Sequence, residues 1–276
     1  MTEKRLAELA ADMIASELNR VTPENTPSAD LIGMRYYEEP LFGIADAGDP
    51  MFLTLREAGV VDPGVMLPCD VLPGAKSVIS FFLPFTEDVR RDNSRSLDVP
   101  SDAWRQARIE GQDMLVALGD AIVRALEDEG FAAVQPSKTE KFRMLAPFCS
   151  NWSERHAAHI AGLGTFGLSK GLITARGMAG RIGSVVTDAP MPVTKRAYSS
   201  PFEYCTMCGA CARRCPAGAI DPKKGVALGK DHIMCKAFLD TTGGRFPCGS
   251  GFRERYGCGK CQTGVPCEHA IPAKRM

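Results

Sequence analysis

The chain has no excess charge of either sign and no long apolar run. Its 33 basic residues are balanced by 33 acidic ones, so its composition gives no electrostatic basis for binding nucleic acid or an anionic membrane surface. No segment resembles a membrane span or the apolar core of an export leader, and the first helix is charged throughout. We therefore expect a cytoplasmic protein that acts without a membrane and in which cysteine thiols stay reduced.

Cysteine is abundant, and its spacing is the most informative feature of the chain. Residues 205–216 (CTMCGACARRCP) have the C-x2-C-x2-C-x3-C-P spacing that binds iron–sulfur clusters. In this motif the first three thiolates bind one cubane cluster, and the fourth binds a second cluster. The sequence therefore predicts a redox protein with two [4Fe-4S] clusters.

The remaining cysteines supply the ligands that two clusters still need. Five follow the motif, and Cys258-x2-Cys261 lies in a glycine-rich stretch where the chain can approach a cluster closely. We assign the first cluster to Cys205, Cys208, Cys211 and Cys267. We assign the second to Cys215, Cys235, Cys258 and Cys261. Cys248 is left over, and spacing alone does not exclude its exchange with Cys235.

Zinc and disulfide bonds are the alternative explanations for paired cysteines. A zinc site takes four ligands, commonly as two pairs, and four cysteines at 2-2-3 spacing before a proline exceed that pattern. A disulfide framework needs an oxidising compartment, for which the sequence carries no export signal. Both explanations are therefore disfavoured.

The cysteine distribution also predicts two domains. Nine of the eleven cysteines lie after position 200, and prolines mark a boundary near 190–201. We predict a mixed α/β (α+β) cofactor domain over residues 1–195 and a small bacterial ferredoxin-like double-cluster domain over residues 196–276.

The first domain shows helical and strand patterns in alternation. Apolar spacing predicts a first helix ending before Pro23, and a helix capped by Ser101 with its stripe at 115–126. Strands are predicted at 75–83, from 131 and at 182–186. Long irregular loops are expected at 22–37 and 87–100, which argues against a compact doubly wound sheet.

The segment 152–188 is unusually rich in glycine. Gly162, Gly164 and Gly167 form a literal G-x-G-x-x-G. A dinucleotide fingerprint follows a strand and opens a helix, whereas here a helix starting after Ser153 runs into the glycines. We therefore predict close approach of the backbone to a large flat ligand instead of a nicotinamide site.

These motifs, in this order, resemble the epoxyqueuosine reductase family and its relatives the reductive dehalogenases. The resemblance rests on Glu154-Arg155 with the following AxxAGLGxxG-type glycines and Leu172-Ile173, then on the double-cluster run, the isolated Cys235 and Tyr256-Gly257-Cys258 with Cys261. It covers roughly residues 40 to 270.

The resemblance implies a nitroreductase-like domain that holds base-off cobalamin and receives electrons from the two clusters. It places the following residues at the cofactor: Gly162, Gly164, Thr165, Phe166, Gly167, Gly183 and Ser184. It implies a ferredoxin or flavodoxin as electron donor and an organic small-molecule substrate. It gives neither His156 nor His159 an axial-ligand role.

Two departures from the family pattern bear on the substrate. The family's proton-donating aspartate has no counterpart in 145–151, and five residues rather than three separate Cys261 from Cys267. With no repeat-like C-terminal domain following, neither epoxyqueuosine nor tRNA is the expected substrate. A replacement proton donor is sought among Glu154, Cys149, Tyr37 and Tyr36.

Three functions follow from this sequence. The first is a cobalamin-dependent iron–sulfur reductase. The second is an FMN-dependent iron–sulfur reductase, because the nitroreductase-like fold also serves FMN. The third is a corrinoid-handling or electron-transfer protein without a substrate of its own.

Overall fold

A four-stranded antiparallel sheet forms the centre of the first half of the chain. The computed structural model describes residues 1–26, 28–146, 148–248 and 250–273. The sheet has the order β1-β2-β8-β3, built from β1 (Leu41–Asp46), β2 (Ser77–Pro84), β3 (Ala133–Val134) and β8 (Gly180–Thr187). The strands predicted at 75–83, from 131 and at 182–186 are confirmed.

Strand β2 is buried on both faces, which explains its unbroken apolar sequence. Ile79, Phe81 and Leu83 face one core, whereas Val78 faces a second one. The alternation follows from the two-residue repeat of a strand. Helices therefore cover both sides of the sheet, and the fold is mixed α/β.

The helices of this half are α1 (Glu3–Ala15), α2 (Met51–Thr54), α3 (Pro68–Val71), α4 (Glu87–Ser94), α5 (Asp102–Ile109), α6 (Gly111–Asp128) and α7 (Glu154–Ile160). The expected stripe of α6 packs in the first core, and Ser101 caps α5 by accepting a bond from the Trp104 amide. The predicted long helix is divided at Glu110. The predicted loop at 87–100 is wrong in its first half, where α4 forms.

Two short ribbons lie beside the sheet: β4 (Met144–Ala146) with β5 (Cys149–Ser150), and β6 (Gly164–Phe166) with β7 (Leu172–Thr174). The β6–β7 ribbon explains part of the glycine pattern. A Cβ at Gly164 would lie 2.0 Å from the backbone oxygen of Ile173, so only glycine fits there.

The cysteine-rich half has little regular structure. It contains α8 (Ala210–Arg213), α9 (Gly225–Leu228), α10 (His232–Thr241) and a hairpin of β9 (Gly244–Cys248) and β10 (Gly251–Arg255). Leu168, Ile173 and Met178 share one apolar cluster with Cys211 and Val265. The two halves are therefore packed together, and the boundary at residue 195 stays a prediction.

The described residues contain no helix that is both long enough and apolar enough to span a membrane.

Candidate functional site: two thiol groups and a buried cavity

The structure brings together the four cysteines assigned to the first cluster. Cys205, Cys208, Cys211 and Cys267 line one small cavity with Met178. Cys211 lies on α8, whose start needs Gly209 in the left-handed region, with φ of 69°. Burial raises the pKa of both Cys211 and Cys267 to about 12, and the neighbouring thiols raise it further.

A second group forms from Cys215, Cys235, Cys258 and Cys261. Burial raises the pKa of Cys258 to about 11, and Cys261, Cys215 and Cys235 add to this. Cys261 likewise has its pKa raised by burial, then by Cys235 and Cys215. These mutual influences indicate that the four thiols lie close together, and because Cys261 also raises the pKa of Cys211, the two groups adjoin.

Cys248 lies elsewhere. It ends β9, opposite Gly251, and contributes to raising the pKa of Arg253 behind the larger effect of Asp113. The structure therefore groups Cys235, not Cys248, with the predicted second-cluster ligands.

Both thiol groups suit a cluster that takes one thiolate per iron. Among the described residues, no three His, Cys, Asp or Glu side chains converge as they would on a single metal ion. Because a ligating thiol must lose its proton, the raised pKa values mean that cluster binding releases protons at these positions.

A cavity of about 900 Å³ lies between α7 and the cysteine-rich half. This volume is near the upper end of the range for ligand sites, so it suits a large organic molecule. Its wall comes from α2, β5, α7 and the loop 196–202, and from Ala227 and His232 across the cavity. The aromatic members of the wall are Phe142, Phe148, Trp152, Phe166, Tyr198 and Phe202.

Glu154 is the carboxyl group of this wall. Burial raises its pKa from 4.5 to about 7, although Ser184 and Trp152 partly oppose the shift. Its Oε2 atom is buried and has no hydrogen-bond partner. Such a carboxyl exchanges a proton near neutral pH, which is the property of a general acid.

Arg155 connects the cavity to the second thiol group. It lines the cavity, and its pKa is lowered by burial and raised by Cys261, which is therefore nearby. Its Nη1 donates to the carbonyl oxygen of Lys170 at 2.7 Å. Lys170 has a left-handed backbone, with φ of 62°, and its Nζ donates to Ala227 at 2.6 Å.

Two histidines of the wall, both on α7, are neutral bases. Burial lowers the pKa of His156 to about 3, and Arg155 lowers it further. Burial also lowers the pKa of His159, whose Nδ1 lies 2.7 Å from the carbonyl oxygen of Gly164. Because a carbonyl only accepts, Nδ1 carries the proton and donates it.

Most of the predicted cofactor-binding residues have packing contacts instead of a place in the cavity wall. Phe166 lines the cavity, whereas Gly164 and Gly167 lie against Ile173, and a Cβ at Gly183 would meet the ring of Phe81. A Cβ at Gly162 would lie 3.1 Å from the Thr194 side chain.

The two polar members of the set are also buried. Thr165 Oγ1 accepts a bond from the Tyr204 amide, and Ser184 Oγ accepts one from Trp152 Nε1. Ser184 therefore affects the cavity wall indirectly, by lowering the pKa of Glu154. Cofactor binding by the whole set stays a prediction.

The proton-donor candidates are separated by the fold. Cys149 lines the cavity beside Glu154, and burial raises its pKa, so its thiol stays protonated. Tyr37 is fully buried in the core, stacked on Phe85 at 5.2 Å, and lies outside the cavity wall. Burial raises its pKa. Tyr37 is therefore poorly placed to donate a proton there, and the neighbouring Tyr36 is equally buried.

Sequence reasoning missed Lys170, Arg196, Tyr198 and His232, which also line the cavity. None of them belongs to a motif. It also missed Lys260, although its position between Cys258 and Cys261 was visible in the sequence.

Comparison with known proteins gives one motif and one fold. Residues 201–221 match the family model of the 4Fe-4S binding domain. No match was found among curated proteins.

The structural neighbours are epoxyqueuosine reductases and reductive dehalogenases. An epoxyqueuosine reductase with a modified tRNA-Tyr stem loop is 19% identical with a TM-score of 0.50, over 96% of this chain and 65% of that one. The epoxyqueuosine reductase from Streptococcus thermophilus is 15% identical with a TM-score of 0.50, over 97% of this chain and 66% of that one. A catabolic reductive dehalogenase in complex with 3-bromo-4-hydroxybenzoic acid is 16% identical with a TM-score of 0.52, over 96% of this chain and 36% of that one.

These likenesses establish the fold and leave the activity open. The chain spans just under two thirds of the epoxyqueuosine reductases and about a third of the dehalogenase. At such identities function depends on the site itself.

Proposed function

We propose that the protein is an iron–sulfur reductase in which two [4Fe-4S] clusters deliver electrons to an organic cofactor in the 900 Å³ cavity. The observation that carries the proposal is the position of Arg155, which lines the cavity and lies near Cys261. A cluster held by the second thiol group would therefore adjoin the cavity wall.

The leading cofactor is a corrinoid, on the resemblance given above and on the nitroreductase-like domain that it implies for residues 1–195. A corrinoid supplies a strongly reducing cobalt centre when bound. The aromatic wall would hold its faces and exclude water. FMN is the second candidate, because the nitroreductase-like fold also serves FMN and the same cavity has room for a flavin.

The chain's own residues supply charge and protons. Arg155 and Lys170 are basic side chains of the cavity wall, and burial lowers the pKa of both. Glu154 holds a proton near neutral pH and can give it to a reduced substrate, and the thiol of Cys149 and the hydroxyl of Tyr198 are two further protonated groups of the wall. His156 and His159 are neutral and can only accept a proton.

The substrate we propose is a small or medium organic molecule, with a ferredoxin or flavodoxin as electron donor. No acid replaces the family's aspartate in 145–151, and a net charge of zero gives no electrostatic basis for binding nucleic acid. We expect neither epoxyqueuosine nor nucleic acid as substrate.

The protein purified without oxygen, with iron and sulfide restored, should contain about eight irons. After incubation with cobalamin and gel filtration it should keep a corrinoid spectrum. Retention of FMN alone would replace the corrinoid with a flavin. Retention of neither, with eight irons present, would favour an electron carrier over a cofactor-dependent reductase.

The protonated state of Glu154 can be tested without a substrate. Infrared difference spectra between pH 5 and 9 should show a carboxylic acid that ionises near pH 7 in the wild type, because its burial raises the pKa to about 7. The signal should be missing in Glu154→Gln. Glu110, whose pKa is also raised by burial, supplies a second buried carboxyl that should remain in that variant.

The same ionisation should appear in stability. A carboxyl group with a folded-state pKa above its unfolded value destabilises the fold as pH rises from about 4.5 to 7. The wild type should therefore lose up to about 3 kcal/mol relative to Glu154→Gln across this window. A difference that does not change with pH would show that Glu154 is ionised throughout.

A further inference from the structure

Lys260 is a fully buried lysine in the loop that carries two cysteines of the second thiol group. It lies between Cys258 and Cys261 in the chain. Its Nζ lies 2.7 Å from the carbonyl oxygen of Asn93, 3.3 Å from Asn93 Oδ1 and 3.2 Å from Ser96 Oγ. An ammonium group has three donors, and these three acceptors match them.

The three acceptors are uncharged, and among the nearby charges Asp92 and Asp98 raise the pKa of Lys260 whereas Arg214 lowers it. Among the described residues Lys260 forms no ion pair, whereas exposed lysines such as Lys236 pair with a carboxylate. Burial lowers the pKa of Lys260, and the neighbouring Cys258 raises it. A buried ion of this kind is stable when an opposite charge is close.

Asn93 fixes the position of this charge. Its Nδ2 donates to the carbonyl oxygen of Cys258 at 3.1 Å and to Thr263 Oγ1 at 3.2 Å, and its Oδ1 accepts a bond from the Ser101 amide at 3.0 Å. Asn93, Lys260 and Thr263 are all 0% exposed. The ammonium group is therefore held rigidly beside the cysteine loop.

A fixed buried cation affects the two redox states of a cluster unequally. One-electron reduction adds a negative charge to the cluster, and the attraction of a nearby cation grows with that charge. Because the pair is buried, salt screens the attraction weakly. Net charge around a cluster is one of the determinants of its potential.

We propose that the buried ammonium group of Lys260 raises the reduction potential of the second cluster and so favours electron transfer onto the cluster beside the cavity. The inference rests on the proposed ligation by Cys215, Cys235, Cys258 and Cys261. It assigns Lys260 a function that no cluster motif specifies.

The first thiol group provides an internal comparison. The largest electrostatic influences on Cys211 and Cys267 come from other thiols, whereas Cys261 also senses the cation Lys230. Lys230 and Lys260 are thus two cations beside the second group, and of the two only Lys260 is fully buried. Replacing Lys260 should therefore change the reduction potential of the second cluster and leave that of the first unchanged.

The test is an anaerobic titration with dithionite, followed by electron paramagnetic resonance, of the eight-iron protein. In Lys260→Met one midpoint should fall by at least 59 mV, which is a tenfold change in the ratio of reduced to oxidised cluster. The other midpoint should not move. Lys260→Arg, which keeps the charge, and Lys223→Met, which removes an exposed lysine, should both resemble the wild type.

If Lys260→Met fails to assemble the cluster, a variant outside the cysteine loop tests the same charge. Ser96→Asp places a carboxylate beside Nζ, which neutralises the ammonium charge, while Ser96→Asn adds no charge. Only the aspartate variant should lower the same midpoint. Cys208→Ser, which alters the first group, identifies the midpoint that belongs to the other cluster.

The outcomes separate this inference from the proposed function. If the wild type holds only about four irons, it has no second cluster, and the ligand assignment and the role of Lys260 are both wrong. Eight irons with unmoved midpoints in both Lys260→Met and Ser96→Asp overturn the role of Lys260 alone.

Discussion

Replacing Cys235 with alanine should remove about half of the protein's iron, whereas replacing Cys248 should remove none. Cys235, on α10, is among the thiols that raise the pKa values of Cys258 and Cys261. Cys248 ends a β strand and raises the pKa of Arg253. Since each [4Fe-4S] cluster uses four cysteines, the loss of one ligand should release about four irons of about eight.

Iron and acid-labile sulfide counts, with the visible absorption of the clusters, measure the effect directly. Cys248→Ala is the matched control, because it removes one thiol from the same half of the chain. Cys69→Ala, which removes an exposed thiol outside both groups, is a second control. Iron loss in Cys248→Ala with full retention in Cys235→Ala would exchange the two cysteines in the ligand assignment.

Glu110→Ala should destabilise the protein by about 3–5 kcal/mol, because it leaves a buried arginine without its counter-ion. Glu110 Oε1 accepts bonds from Arg255 Nε at 2.9 Å and Nη2 at 2.8 Å, and both side chains are at least 96% buried. Burial raises the pKa of Glu110 despite the opposing effect of Arg255. The desolvation of the carboxylate therefore exceeds the attraction of its partner.

That imbalance predicts the result of removing both charges. The double variant Glu110→Leu with Arg255→Met should recover most of the loss, because buried ion pairs are often replaceable by apolar side chains. Asp113→Ala, which breaks the exposed pair with Arg253 on the same hairpin, should cost less than about 1 kcal/mol.

Thermal denaturation of the cluster-loaded protein under nitrogen measures both effects. For a chain of this size the single Glu110 variant should lower the melting temperature on the order of 10 °C. A loss no larger than that of Asp113→Ala would mean that water reaches Arg255 and solvates it.

The 4Fe-4S binding motif could be recognised from the sequence, since ligand spacing is local. Residues 205–216 indicated cubane clusters without any tertiary information, and a family model for 4Fe-4S binding matches the same stretch. The apolar run in β2 and the stripe of α6 were equally legible, because burial on both faces or on one face leaves its own period in the sequence.

Contacts between distant segments could not be predicted from the sequence in this way. Spacing left Cys235 and Cys248 interchangeable, and only the folding of α10 and the β9–β10 hairpin separates them. Tyr37 was a candidate proton donor until the packing of Phe85 placed it in the core. The glycines of 162–183 predicted close approach, but the partner they approach is the chain itself in several positions.

The sequence alone therefore showed a 4Fe-4S binding motif, predicted ligands for two clusters, and indicated where the main strand and helices run. Tertiary structure decided which thiols meet, that Arg155 joins the second thiol group to the cavity, and that Lys260 is buried beside Cys258. The physical reason is that spacing fixes contacts within a loop or a helix. Burial and charge at a site depend on residues far apart in the chain, such as Asn93 and Lys260, which only folding brings together.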